Sequence, residues 1–279
     1  MKRHKARMKR PELIVSDFDG TLKKVHAGLS PKLRASIRKF VDQGGKFVIA
    51  TARPLFALEG HLKGAEFIRY LILCNGSQVF DRKTRRFLFR RPFPRSVLRF
   101  IVERFWRDSR YIIMVIGAKD TMINRPWSKP PLAKYLRQIK AKVADEKTAL
   151  SALKRGYEVF NIEVGAANTD LEDFKRTVRR GSAVSANFRI SWDGFMEIYP
   201  ADVSKGSSLG LLARRLMIPL SATLAFGDAD NDIDLFDHSG RGVAVGNATR
   251  NLKKRADQVI GPYDRDSVAE FITRQVLKD

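Results

Sequence analysis

The chain has 279 residues, 44% of them hydrophobic, one cysteine and a formal net charge of +23. That length holds one large or two modest domains with ample core, and the lone Cys74 excludes an internal disulfide. No apolar run reaches the length of a membrane span, and the basic N-terminus is not followed by a signal-type apolar core, so a cytoplasmic protein without a membrane partner is expected.

The charge is unevenly spread. Residues 1–10 carry +6, residues 83–189 carry +15, and the remainder carries only +2. The first ten residues read as a disordered basic tail. Leu13-Ile14-Val15 then reads as a short buried strand that ends in Asp17-Phe18-Asp19-Gly20-Thr21-Leu22. A helix is expected near 31–43, with Ser30 as N-cap, Pro31 at the first helical position and Gly44-Gly45 at the end. A strand at 47–50, a short helix at 54–63 and a strand at 70–74 complete a βαβαβ pattern, which indicates a doubly wound parallel sheet. Cys74 lies in an apolar run and reads as a core thiol.

The pattern changes after residue 78. Two short strands over 78–90, a helix near 94–109 and strands at 111–117 and 120–125 are expected. Helices at 130–139 and 147–154, a strand at 157–164, a helix at 168–180 and strands at 184–191 and 194–199 follow. Such a mixture of antiparallel strands and helices reads as an α+β domain inserted into the first. The alternation resumes with a helix at 206–216 and a strand at Leu224-Ala225-Phe226, which leads into Gly227-Asp228-Ala229-Asp230-Asn231-Asp232.

Ligands of open α/β sheets bind beyond the carboxyl ends of the strands. Two acidic turns follow such strands here. Clustered carboxylates repel one another unless a cation lies among them, so the pattern predicts a hard, oxygen-liganded metal, most simply Mg²⁺. The four histidines show no metal-ligand spacing.

Four segments occur in order: D-F-D-G-T-L at 17–22, A-T-A-R at 50–53, V-S-K-G at 203–206 and G-D-A-D-N-D at 227–232. They resemble the four motifs of the haloacid dehalogenase superfamily of phosphatases. The stretch D-G-F-M-E-I-Y-P-A-D-V-S-K-G is most similar to the Cof-type subfamily with a class IIB cap, whose members dephosphorylate sugar phosphates and other small phosphate esters. The resemblance implies a Rossmann-like core over 11–82 and 190–279, with the α+β segment 83–189 as a cap that carries substrate selectivity.

It also implies roles. Asp17, which alone reads as a turn cap, becomes the nucleophile that forms an aspartyl phosphate. Asp19 becomes the general acid and base and lends its backbone carbonyl to the metal. Gly20 permits an unusual backbone at this turn. Asp228 becomes a direct metal ligand beside Asp17, with Asp232 closing the site directly or through water. Thr51, with Ala52 beside it, and Lys205 become the phosphate grips, and Asn231 touches the phosphate or positions substrate. Asp230 and Asp234 read as capping or solvent-facing.

Some positions depart from the pattern. Ala52 stands where many relatives have glycine. Lys23 and Lys24 stand where apolar residues are usual, facing either incoming anions or solvent. Arg53 reads as a contact to substrate or to a neighbouring acid, and Asn75-Gly76 as a hinge. The leading expectation is a Mg²⁺-dependent phosphomonoester hydrolase with a small phosphorylated substrate. The alternative is a phosphatase-fold protein whose basic cap binds nucleic acid, with Phe87-Leu88-Phe89-Arg90-Arg91 and Phe105-Trp106-Arg107 as its footprint.

Overall fold

The structure is a computed structural model, and it describes residues 10–23, 28–126, 136–181, 186–192 and 194–277. Most of the expected tail, most of the expected helix at 130–139, and Lys24 lie outside the described residues.

The chain opens with β1 (Leu13–Ser16), α1 (Pro31–Asp42), β2 (Lys46–Ala50), α2 (Leu55–Leu58), β3 (Tyr70–Leu73), β4 (Gln78–Asp81) and β5 (Arg86–Arg90). It continues with α3 (Arg95–Phe105), β6 (Ile112–Gly117), β7 (Thr121–Ile123), β8 (Ala141–Val143), α4 (Glu146–Lys154), β9 (Val159–Gly165), α5 (Asn168–Gly181), β10 (Ala186–Trp192) and β11 (Phe195–Pro200). The last stretch holds α6 (Lys205–Arg215), β12 (Thr223–Gly227), α7 (Ile233–Asp237), β13 (Arg241–Ala244), α8 (Arg250–Arg255), β14 (Gln258–Val259) and α9 (Ser267–Phe271).

Two compact units result. The first comprises Met1–Ala52, His61–Phe89 and Ser204–Asp279, and the second comprises Arg53–Gly60 and Arg90–Val203. The first unit is built on a sheet of order β14-β13-β12-β1-β2-β3-β4-β5. Strands β14 to β3 along that order are parallel, and β4 runs antiparallel to β3. The architecture is a doubly wound, Rossmann-like α/β core. From β1 the order runs to β2 and β3 on one side and to β12, β13 and β14 on the other. The topological switch point therefore lies between β1 and β12, where a crevice forms in this class of sheet.

The central strand β1 is fully buried because Leu13, Ile14 and Val15 form a continuous apolar run, as a strand covered on both faces requires. Helix α1 begins as expected, with the Ser30 hydroxyl accepting from the Leu33 N–H at 3.1 Å and Pro31 in the first turn. Its buried stripe is Leu33, Ile37 and Phe40, spaced three and four residues apart.

The second unit holds a sheet of order β10-β11-β9-β6-β7-β8, antiparallel except for the β7–β8 pair. Helices α3, α4 and α5 pack on one face of it. Val97, Ile101 and Phe105 of α3, Leu153 of α4, and Leu171 and Phe174 of α5 meet Ile113, Val115, Ile162 and Val164 of the strands. The division falls at 203/204, whereas the sequence reading put it at 189/190. The hairpin explains the difference: Ala186 pairs with Pro200, and β11 pairs in turn with β9, so both strands are hydrogen-bonded into the second sheet.

The aromatic footprint expected for a nucleic-acid surface is partly consumed by this core. Phe105 and Trp106 are buried, and the Trp106 indole N–H donates to the Ala144 carbonyl at 2.8 Å. Arg107 points outward into an ion pair with Glu146. Arg90 and Arg91 pair with Glu158 and Asp202. Among the described residues, no helix is long and apolar enough to cross a membrane.

Candidate active site

Strand β1 delivers Asp17 and strand β12 delivers Asp228 to the same sheet edge. Ser16 pairs with Phe226 in parallel register, and the Asp17 N–H continues the ladder to the Phe226 carbonyl at 3.0 Å. The turn after β1 then folds back on itself. The Leu22 N–H donates to the Phe18 carbonyl, and the Gly20 N–H donates to the Lys23 carbonyl.

Gly20 adopts a φ of +82°, and a Cβ there would lie 2.5 Å from Asp228 Oδ2. Only glycine meets both demands. Thr21 completes the seam: its hydroxyl donates to Asp228 Oδ1 at 2.6 Å.

Lys205 reaches this edge from the start of α6. A reciprocal capping box between Ser204 and Ser207 fixes the first turn. Asp234 holds it from the other side, because its Oδ2 accepts from the Ser204 hydroxyl and from the Gly206 N–H. The Lys205 ammonium donates to Asp17 Oδ1 at 2.5 Å and to Asp232 Oδ1 at 2.8 Å. The other Asp232 oxygen accepts from the N–H groups of Asp228 and Ala229 at 3.0 and 3.1 Å.

The Lys205 ammonium thus bridges two of the three carboxylates, Asp17 and Asp232. Oxygens of Asp17, Asp228 and Asp232 lie within 4.8 Å of one another. Burial is the main cause that pushes the Asp17 carboxyl well above the usual carboxylate range. Lys205 opposes that rise, while Asp232 and Asp228 add to it. Asp228 is pushed up to about 6, again by burial first and then by Asp232. Lys205 is held above the ordinary lysine value: burial works against its charge, but Asp17 and Asp232 outweigh it. One more positive group would relieve the two strained carboxyls. The all-oxygen donor set fits a hard divalent cation and gives no soft ligand for zinc.

Thr51 follows β2 and is buried. Its own N–H is already given to the Ile72 carbonyl at 2.9 Å, so it does not add to the free donors of that loop. Ala52 beside it is half-buried. Arg53 is buried within the second unit, where it donates to the Ala57 carbonyl at 3.5 Å and to Gln138 Oε1 at 3.3 Å. Asp19 is 28% exposed, with Lys23 3.9 Å away. Asp230 is exposed and accepts from the side chains of Thr249 and Asn251.

The supporting role of the segment Cys74–Gly76 was missed. It is buried, and all three residues have positive φ. The Asn75 N–H donates to the Thr51 carbonyl at 3.1 Å, and Asn75 Oδ1 lies 3.5 Å from Asn231 Nδ2. Asn231 Oδ1 is buried without a hydrogen-bond partner. The Gly76 carbonyl accepts from the Ser208 hydroxyl, and a Cβ at Gly76 would lie 2.1 Å from the Ser204 carbonyl oxygen. One turn therefore touches the segments that carry Thr51, Asn231 and Lys205. The sequence signal was Asn-Gly, whose tolerance of positive φ marks a tight turn.

The sequence profile of the haloacid dehalogenase-like hydrolases matches residues 14–272. The chain belongs to that family. Among curated relatives of this hydrolase, a 5-amino-6-(5-phospho-D-ribitylamino)uracil phosphatase, YcsE of Bacillus subtilis (strain 168), is 24% identical over 266 residues, which cover 95% of this chain and 96% of that protein. An HMP-PP phosphatase of Yersinia enterocolitica is 26% identical over 264 residues, covering 93% of each chain. The solved structure of a sugar phosphatase of subclass IIB of the superfamily matches with a TM-score of 0.77 at 19% identity, covering 94% of this hydrolase and 98% of that chain. The recognised motifs and the Cof-type assignment agree with these findings.

Proposed function

We propose that this hydrolase is a Mg²⁺-dependent phosphomonoester hydrolase that acts on a small phosphorylated metabolite, a sugar phosphate or a similar ester, through an aspartyl phosphate on Asp17. The observation that carries the reading is the Asp17–Lys205–Asp232 arrangement beside Asp228 at the switch point of the sheet. The names of the curated relatives support the same substrate class.

Asp17, Asp228 and Asp232, with the Asp19 backbone carbonyl, would hold the cation. When bound, Mg²⁺ supplies charge neutralisation for the carboxylates and the phosphoryl oxygens. The chain's own groups account for the remaining steps. Lys205 keeps Asp17 oriented and offers positive charge to an entering dianion. An Asp17 oxygen attacks phosphorus as the bond to the ester oxygen breaks. Asp19 gives its proton to the departing oxygen, which would otherwise leave as an unstable alkoxide. Asp19 then takes a proton from the water that cleaves the aspartyl phosphate, and Asp17 is regenerated. Thr51, Ala52 and Asn231 are assigned to the phosphate. The second unit is assigned the role of a selectivity cap.

The test is a turnover screen of phosphorylated metabolites with and without Mg²⁺. Phosphate release should appear with Mg²⁺, stop on chelation and return on adding the ion back. Full activity after exhaustive chelation would overturn the metal assignment.

A further inference from the structure

Lys23 departs from the family pattern and faces neither solvent nor an open approach path: its side chain is 1% exposed. The turn that begins at Asp17 brings it back under Asp19, with the Gly20 N–H donating to the Lys23 carbonyl and a bridge pairing Asp19 with Lys23. The ammonium lies 3.9 Å from Asp19 Oδ1, 3.4 Å from His61 Nδ1 and 4.9 Å from the centre of the Phe18 ring. An ammonium has no acceptor, so His61 Nδ1 accepts and the imidazole proton sits on Nε2. A buried ammonium is costly unless partners of this kind surround it. An apolar side chain at position 23 would avoid that cost entirely.

We propose that Lys23 is a positioning residue for the Asp19 carboxyl. The ammonium lies on the Oδ1 side of the carboxyl that gives up the proton. As the P–O bond breaks, the proton moves from Asp19 to the leaving oxygen, and the negative charge left on Asp19 develops beside a fixed cation. A preorganised charge aimed at developing charge stabilises a transition state more than a ground state. His61 and the Phe18 ring hold the ammonium in place, so Lys23 acts through Asp19 and does not itself meet substrate.

This inference rests on the reading of Asp19 as general acid, and the experiment separates the two. Single-turnover release of the alcohol is measured for an alkyl phosphate and for p-nitrophenyl phosphate, whose leaving group departs without a proton. Lys23→Met should slow release from the alkyl ester about tenfold or more and from the nitrophenyl ester by no more than about threefold. Lys23→Arg should restore most of the loss. In an Asp19→Asn background, Lys23→Met should have no further effect on the alkyl ester, because residues acting as one unit are not additive.

The Met variant should melt at or above the wild-type temperature, since it removes a buried charge. If it does not fold, Lys23→Gln replaces it in the same comparison. Equal losses for both esters, an additive loss in the Asp19→Asn background, or no loss at all would overturn the proposal. Failure of the wild type to release alcohol from either ester would instead overturn the phosphatase reading itself.

Discussion

Asp17 is held between one cation and two other carboxylates, and this conflict sets its chemistry. Asp17→Asn should abolish phosphate release, by at least about 10³-fold, and Asp19→Asn should lower it by about 10²–10⁴-fold. Asp17→Asn should melt no lower than wild type, because it removes a charge from the cluster with Asp228 and Asp232, whereas Asp19→Asn should melt lower, because it takes the carboxylate from the buried Lys23 ammonium; phosphate assay and thermal melting check this. Asp228 gives a prediction in pH. Its folded pKa of about 6 lies above the ordinary aspartate value of 3.8, so the fold binds its proton more tightly than the unfolded chain does. Metal-free protein should therefore lose up to about 3 kcal/mol of stability as pH rises from 4 through 6. Mg²⁺ should raise the melting temperature more at pH 8 than at pH 5, and an equal rise at both would contradict the assignment. These carboxylates were legible in the sequence because spaced acids after apolar runs are a compact signal, whereas Lys205 stood out only through the order of the motifs it shares with the family. Asp234 was read only as a cap or a surface acid; its hold on Ser204 and Gly206 depends on a packing that no local spacing encodes.

At the scale of elements, α6 is positioned by two neighbours, the Cys74–Gly76 turn and the loop that carries Asp234. Gly76 has a φ of +101° and abuts the Ser204 carbonyl, so Gly76→Ala would force the N-cap of α6 to move. The variant should lose roughly 2 kcal/mol or more of stability and should lower kcat more than it raises KM, because Lys205 moves with the cap. Denaturant titration and steady-state kinetics read the two effects separately. The strands and helices with strong apolar periods were found from sequence within one to four residues. Strand β8 was not, since its three residues, Ala141-Lys142-Val143, are too short and too exposed to carry a pattern. The helix expected at 54–63 is a four-residue α-turn followed by a 3₁₀ segment, Glu59–Leu62, with Gly60 and Gly64 weakening the longer helix. The boundary at 190 failed because hairpin pairing, not composition, assigns a strand to its sheet.

The whole molecule carries +23, concentrated between residues 83 and 189. A strongly cationic protein raises the local concentration of an anionic substrate and speeds its capture, and salt screens that effect beyond about 8 Å at physiological ionic strength. We expect kcat/KM for the best phosphorylated substrate to fall as NaCl rises, while kcat changes little. Charge reversal at Arg85, Arg86, Arg90 and Arg91 should flatten that dependence. Indifference of kcat/KM both to salt and to the reversals would mean that the charge does not serve substrate capture.

The switch point also sets an order of events in time. β1 emerges first from the ribosome, yet its neighbour β12 lies about two hundred residues later, and only their pairing brings Asp17 to Asp228. Parallel contacts so distant along the chain are slow to form, because a long loop must close before they contribute. The second sheet, drawn from one nearly continuous stretch, has no such wait. On dilution from denaturant, secondary structure should therefore return well before phosphate release does, and nascent chains halted before residue 223 should be catalytically silent however well their apolar segments have collapsed.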